Sequence, residues 1–262
     1  MITIAERING MFLDVKEAIK EKNASIIHEL AKKQTEAGAT YLDINVGTAA
    51  ADQHDAMRWL VETTQEAVKT PLAIDSQKLD VVKAGLEVAK NEVMINSSKG
   101  EPEDLDTYIP LAKEHNAALI CLTMNKKDGV PQNVDTRVEI AATIVGKVME
   151  HGMDMDKVFI DPIILPVNVD QKQPGYMLEV FSQIKLLSDP QPHITVGLSN
   201  FSQGTKEKSL LNSTMLIMAV AAGLDTALLD VLDTDLMDAG ICAEMILNKQ
   251  IYSDSFLKAA RP

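Results

Sequence analysis

Eight short runs of apolar, β-favouring residues alternate along this chain with stretches of helical periodicity, and that alternation limits the possible folds more than any other feature. The runs are TIAERI at 3–8, YLDINV at 41–46, PLAID at 71–75, VMINS at 93–97, ALICLTM at 118–124, VFIDPI at 158–163, ITVGLSN at 194–200 and TALLD at 226–230. Helical patterns fall near 14–21, 24–38, 52–69, 79–90, 103–115, 135–151, 175–187, 208–222 and 234–249. In the second of these, Ile27, Leu30, Ala31 and Gln34 share one face and Gly38 stands where a helix ends. Strands that alternate with helices require right-handed crossovers and a parallel sheet covered on both faces. Eight such units predict closure into a single (β/α)8 TIM barrel, an α/β fold, occupying residues 1–262 as one domain. No GxGxxG or GxxxxGK[ST] stretch follows a strand, so the nucleotide-binding loops of open sheets are missing.

Composition narrows the function. The formal charge of −13 and an aromatic content of 4 % argue against nucleic acid, which is held by dense Lys and Arg and by stacking rings. Cys121 and Cys242 stand apart from any CxxC or Cys/His cluster, so neither a zinc site nor a disulfide framework is expected, and a reducing cytoplasm fits. Glu6 and Arg7 interrupt the first ten residues and no apolar run is long enough to span a bilayer, so no signal core and no membrane segment are expected.

In a barrel of this kind the chemistry sits where the strands end. Those ends carry Glu6 and Asn9, Asp43 and Asn45, Asp75 and Ser76, Asn96 and Ser97, Thr123 and Asn125, Asp161, Ser199 and Asn200, and Asp230. Asp, Asn and Ser also serve as turn residues and helix caps, yet here they converge behind apolar strand bodies with no Lys, His or Cys among them. A phosphorylated ligand would call for cations, and a hydrated metal for His beside the oxygens, so no metal site is expected. A neutral heterocycle with adjacent N–H donors fits better: the 2-amino-4-oxo edge of a pterin offers two donors that one carboxylate can accept, and amides such as that of Asn96 match mixed edges.

The segments AERING, LDINVG, IDS at 74–76, MINSS, LTMN, IDPIILP and GLSNFSQG, in that order and over essentially the whole chain, resemble the pterin-binding methyltransferases. Within them the resemblance is to the methyltetrahydrofolate:corrinoid/iron-sulfur protein methyltransferases of the acetyl-CoA pathway. The family motif GERING is here AERING, with Ala5 in place of glycine. The resemblance implies a homodimer of barrels that moves the N5 methyl of 5-methyltetrahydrofolate to Co(I) of a corrinoid held by a corrinoid/iron-sulfur protein, with no cofactor resident in this chain. It implies that Asp75, Asn96 and Asp161 hold the pterin edge and that Asn200 approaches N5 as the catalytic side chain. Gln203, Ser199 and Met124 complete the substrate pocket, and Glu6, Asn9, Asp43 and Asn45 support it.

Other readings share the fold. A dihydropteroate synthase would need Lys or Arg after strands six to eight, where this chain reads DPIILP, GLSN and LLDVLD. A Schiff-base aldolase would need a lysine inside a strand. A full-length methionine synthase would need room for further domains. A pterin-binding or corrinoid-docking module without activity stays open. His28, His54, His115 and His151 fall on or beside helices, and His193 precedes strand seven at the far end of the barrel, so all five are expected in surface or packing roles. On the helix at 234–249, Leu236, Ala239, Ala243 and Ile246 are expected to pack inward, leaving Met237 and Ile241 for packing or a dimer interface.

Overall fold

The computed structural model describes residues 1–261. The strands are β1 (Ile2–Ala5), β2 (Tyr41–Asn45), β3 (Leu72–Asp75), β4 (Val93–Lys99), β5 (Ala118–Leu122), β6 (Val158–Asp161), β7 (His193–Ile194) and β8 (Thr226–Leu229). All pair in parallel in the order β7-β6-β5-β4-β3-β2-β1-β8. The ring closes where Leu228 N donates to Val196 O at 2.9 Å and Gly197 bridges Leu228. The helices are α1 (Leu13–Glu21), α2 (Ala24–Glu36), α3 (Gln53–Ala67), α4 (Leu79–Val88), α5 (Pro102–Glu114), α6 (Val134–Glu150), α7 (Gln173–Ile184), α8 (Lys208–Ala221), α9 (Thr234–Ile246) and α10 (Phe256–Ala260). Among the described residues, no helix is long and apolar enough to cross a membrane.

The two-residue period of a strand sorts its side chains between two cores. Leu42 and Ile44, Leu72 and Ile74, Val93 and Ile95, Leu119 and Cys121, Val158 and Ile160, and Ala227 and Leu229 join the large core under the helices. Their alternates Ile4, Ala73, Met94, Ala118, Ile120 and Phe159 form a separate small core that plugs the barrel interior. The same parity points Glu6, Asp43, Asn45, Asp75, Asn96 and Asp161 into the lumen, above the plug.

Caps that start the helices come from other residues. Asp52 accepts from the amides of His54 and Asp55, Asn133 from that of Thr136, and Asp233 from that of Leu236. Gly38, at φ +96°, turns the chain at the end of α2 as expected.

Three expectations need correction. Strand seven pairs only through His193 and Ile194, and Leu198–Asn200 curls into a turn of 3-10 helix. Glycine at 197 weakens the extended run, and its inward position must stay empty for a reason given below. His193 is therefore in the strand, although at the expected end of the barrel. Ile246 is 73 % exposed; α9 instead buries Leu236, Gly240, Ala243 and Glu244, the last paired with the Met1 ammonium at 2.6 Å. The helix α10 lies beyond the last sequence pattern, a five-residue segment too short to leave a periodic signal.

At the closed end, Asp225 ties β7 to β8. Its carboxylate accepts from Lys185 Nζ at 2.6 Å and from Ile194 N at 2.9 Å, and His193 Nδ1 lies 3.1 Å away with its ring stacked 4.6 Å from that of Phe159. Burial opposes the charge, but the His193 and Lys185 bonds outweigh it and hold the carboxyl down at about 2. Because the folded value lies below the unfolded one, the stabilisation is fully present above pH 4 and disappears as pH falls through 2. Asp225→Asn is expected to lower unfolding free energy by on the order of 2 kcal/mol at pH 6. In urea titrations of both proteins the gap should close as pH approaches 2.

Candidate active site

The inward strand ends form one polar floor. Register places Asn45 beside Asp75 and Asp75 beside Asn96, while Asp43 sits one layer deeper, next to Ala73, whose small side chain leaves it room. Asn45 Oδ1 accepts from Gly47 N at 2.6 Å, which aims its Nδ2 at Asp75 Oδ2, 2.5 Å away. Asn96 Nδ2 donates to Asp43 Oδ1 at 3.0 Å, leaving the Asn96 carbonyl free to accept. Thus Asn45 and Asp43, expected as supports, orient Asp75 and Asn96. Above them, the Gly10 amide donates to Asn45 O at 2.8 Å, and a Cβ on Gly10 would meet Val46 O at 2.0 Å. Only glycine allows the first two loops to touch there.

Asp161 stands across the floor at the end of β6, where its Oδ1 accepts from Ile163 N at 2.7 Å. Its other oxygen is free among the described residues. Burial pushes this carboxyl up to about 7, against the pull of the Ile163 amide and the Arg137 charge. Burial likewise raises Asp75 to about 6, offset by bonds from Asn45 and Asp43. Asp43 is raised well above the usual carboxylate range by burial first and by the charge of Asp75 second, against the lowering bond from Asn96. The floor therefore gathers carboxyl and amide oxygens as acceptors, with no Lys, Arg or His at the ends of β6, β7 or β8. Such a surface is complementary to a neutral ligand rich in N–H donors.

On the β7 side, Ser199 Oγ donates to Glu6 Oε1 at 2.8 Å. Burial raises Glu6, with Asp230 adding repulsion against the lowering bond from Ser199. Asn200 is exposed at the mouth, and its carboxamide makes no hydrogen bond among the described residues. A Cβ on Gly197 would come 2.8 Å from Asn200 Nδ2, so the missing side chain at that inward position is what admits the amide.

Other expected residues lie further out. Gln203 is exposed in the loop beyond Asn200, and Met124 is half-buried in the turn after β5, where its carbonyl accepts from Gly100 N. Asn9 spends its Oδ1 on the Met11 amide, 2.9 Å away, and so shapes the first loop. Asn125 is likewise occupied in a turn with Asp128. A cavity of about 420 Å³ opens from Asp75 and Asn45 beneath the loops after β2 and β3, past Gln53 and Lys78. No group of three or more His, Cys, Asp or Glu side chains is placed to hold a metal among the described residues.

Sequence reading missed Arg137, Ile163 and Gln173 beneath Asp161. Arg137 donates to Ile163 O at 2.9 Å, and Gln173 Nε2 lies 3.3 Å from the same oxygen. The signal was present: Arg137 falls on the stripe Ile140, Ala141, Ile144, Val145 and Val148, at the spacing of an apolar residue.

Solved structures share this architecture. A dihydropteroate synthase from Vibrio fischeri superposes with a TM-score of 0.68, covering 95 % of this chain and 94 % of that one at 13 % identity. The Xanthomonas albilineans dihydropteroate synthase with 4-aminobenzoic acid gives 0.65, over 96 % and 94 %, at 16 % identity. At such identities the likeness is one of fold. Sequence carries the assignment further: residues 13–230 match the model of the pterin binding enzymes, and the chain belongs to that family. Among its relatives is a methylcorrinoid:tetrahydrofolate methyltransferase of Eubacterium limosum, 31 % identical over 265 residues, covering 100 % of this chain and 96 % of the relative. A methionine synthase of Mycobacterium leprae is 28 % identical over 240 residues, 87 % of this chain but 20 % of that protein.

The raised carboxyls make the site costly to the fold. A carboxyl whose folded value exceeds its unfolded one loses stability as pH rises from about 4 to its folded midpoint. Asp161→Asn keeps an oxygen for the Ile163 amide while removing the charge. It is expected to raise unfolding free energy at pH 8 by on the order of 1–3 kcal/mol and to leave it little changed at pH 4. Denaturant midpoints of wild type and variant at the two pH values check this.

Proposed function

We propose that this protein transfers a methyl group between the N5 of tetrahydrofolate and the cobalt of a corrinoid, and that the physiological direction runs from 5-methyltetrahydrofolate to Co(I). The observation that carries the reading is the floor itself: Asp75, Asn96 and Asp161 turned inward with free acceptor positions, and an unpartnered Asn200 amide beside them. Family membership and the Eubacterium limosum relative support it. That relative is named for transfer in the opposite direction, and one site must catalyse both by microscopic reversibility.

In this reading Asp161 accepts paired N–H donors of the pterin through its free oxygen, and Asp75 and Asn96 take the neighbouring edge. The cobalt electron pair of Co(I) forms the bond to the methyl carbon, giving methyl-Co(III), as the N5–CH3 bond breaks; the pair left on N5 takes a proton from water at the open mouth, giving tetrahydrofolate. The Asn200 amide hydrogen-bonds to N5, and the bond strengthens as charge builds there in the transition state. Its freedom from other partners means that nothing has to be broken first. Gln203, Ser199 and Met124 complete the pocket; Ser199 also keeps Glu6 in place beside Asn200. The methyl acceptor is the corrinoid of a corrinoid/iron-sulfur protein that docks over the mouth, as in the acetyl-CoA pathway. The functional assembly is a homodimer, for which exposed Ile217 and Met218 on α8 and Ile246 on α9 offer apolar surface.

A dihydropteroate synthase reaction is less well matched, because an anionic pyrophosphate leaving group would face Asp161, Ser199 and Asp230 at the ends of β6 to β8, where no strand-end residue is Lys or Arg and the nearby Arg137 is buried beneath Asp161.

The test follows the absorbance of Co(I) cobalamin mixed with 5-methyltetrahydrofolate and the protein. Asn200→Ala is expected to slow methyl-cobalt formation about 10²-fold with folate binding nearly unchanged. Asp161→Ala should chiefly weaken binding. Folate binding without any transfer, to free cobalamin or to a corrinoid/iron-sulfur protein, would sink the enzymatic reading.

A further inference from the structure

Arg137 is a puzzle on energetic grounds. It is fully buried near the start of α6, yet only one of its guanidinium nitrogens has a protein partner; Nε and Nη2 have none. A buried guanidinium with unmet donors costs stability, and an apolar residue on that stripe would fit the core more cheaply. Its one bond goes to the carbonyl of Ile163, and Ile163 is itself unusual: a β-branched residue at φ +61°, in the left-handed region that such side chains rarely enter. That residue is clamped at three points. Arg137 Nη1 and Gln173 Nε2 hold its oxygen, and Asp161 Oδ1 accepts from its nitrogen. Gln173 is also fully buried, and its Oε1 accepts from Leu165 N at 2.6 Å, so the loop after β6 is fixed over several residues.

We propose that Arg137 is a positioning residue for Asp161: it holds Ile163 in the left-handed conformation from which the Ile163 amide fixes the carboxylate, leaving one oxygen aimed into the site. The consequence for ligand binding rests on the pterin reading above, but the clamp itself does not. Arg137 adds a second contribution through charge. It is the cation that opposes the effect of burial on Asp161. The other groups around this corner are Asp170 and Tyr176, both acting on the guanidinium, whose centre lies 5.9 Å from the Tyr176 ring. The ends of β5 and β7 bring no charge, and Glu6, Asp43 and Asp75 face Asp161 from across the lumen. Removing the guanidinium therefore raises the Asp161 midpoint and loosens its rotamer together.

The experiment compares wild type with Arg137→Met, which keeps the length and apolar stem, and with Arg137→Lys, which keeps the charge. The Asp161 carboxyl is titrated by 13C NMR in unliganded protein, assigned with Asp161→Asn. The dissociation constant of 5-methyltetrahydrofolate is measured from pH 5.5 to 9. Arg137→Met is expected to raise the carboxyl midpoint and to weaken folate binding about tenfold or more at pH 6.5, with recovery towards pH 9. Arg137→Lys should return the midpoint towards that of wild type. Adding Ile163→Gly to Arg137→Met, so that the left-handed conformation carries no strain, should restore part of the affinity at pH 9 without moving the midpoint back. A carboxyl titration and a folate affinity both unmoved in a folded Arg137→Met protein would overturn the proposal and leave a packing role. A titration that moves while wild type binds no folate at any pH would uphold the clamp and overturn the pterin reading instead.

Discussion

Barrel closure decides nearly everything else about this molecule. Once eight parallel strands join through the Leu228–Val196 bond, each residue must face either the helices or the lumen, and the choice alternates along a strand, broken only where the register shifts between Asn96 and Ser98 among the paired residues. Outward positions carry Leu, Ile and Val, whose burial under the helices supplies most of the driving force for folding. Inward positions change character along the axis: apolar side chains plug the closed end, and acids and amides crowd the open one. The plug allows the site to be polar, because Ile4, Met94, Ile120 and Phe159 exclude water from beneath it.

The electrostatics follow from that enclosure. Four carboxyls, Glu6, Asp43, Asp75 and Asp161, are gathered on a floor with no cation inside it, and burial raises each of them. They differ through their partners. Asp43, deepest and facing the charge of Asp75, is raised well above the usual range despite the bond from Asn96, whereas the bond from Asn45 restrains the rise of Asp75. The carboxyl at the opposite end, Asp225, meets Lys185 and His193 and behaves in the reverse way. One barrel thus holds carboxyls shifted in both directions: downward where Lys185 and His193 meet Asp225 at the closed end, upward where burial dominates at the open one.

Much of this was legible in the chain because two periods are written in it directly. The alternation of strand and helix gave eight units, and the two-residue period within YLDIN and VFID already sets Asp43, Asn45 and Asp161 on the opposite face from their aliphatic neighbours. The concern that Asp and Asn at strand ends are merely caps is answered by particular residues: Asp52, Asn133 and Asp233 do the capping, whereas Asp43, Asp75 and Asn96 cap nothing. Residues whose role depends on contacts distant in sequence were harder to read. Gly197 is an ordinary weak point in a strand until the Asn200 amide is seen against it, and Arg137 is a misplaced charge on a helix until Ile163 is found at its tip.

Sequence by itself thus determined the class of fold and the polar residues that turn into the open end of the barrel, because these depend on local periodicity and residue type. Tertiary structure alone decided which oxygen of each carboxylate is spent, which way burial and partners shift each carboxyl, and why ITVGLSN abandons the sheet after Ile194. Those outcomes depend on distances and burial between segments up to 193 residues apart, such as Glu6 and Ser199, and no local pattern encodes a distance of that kind.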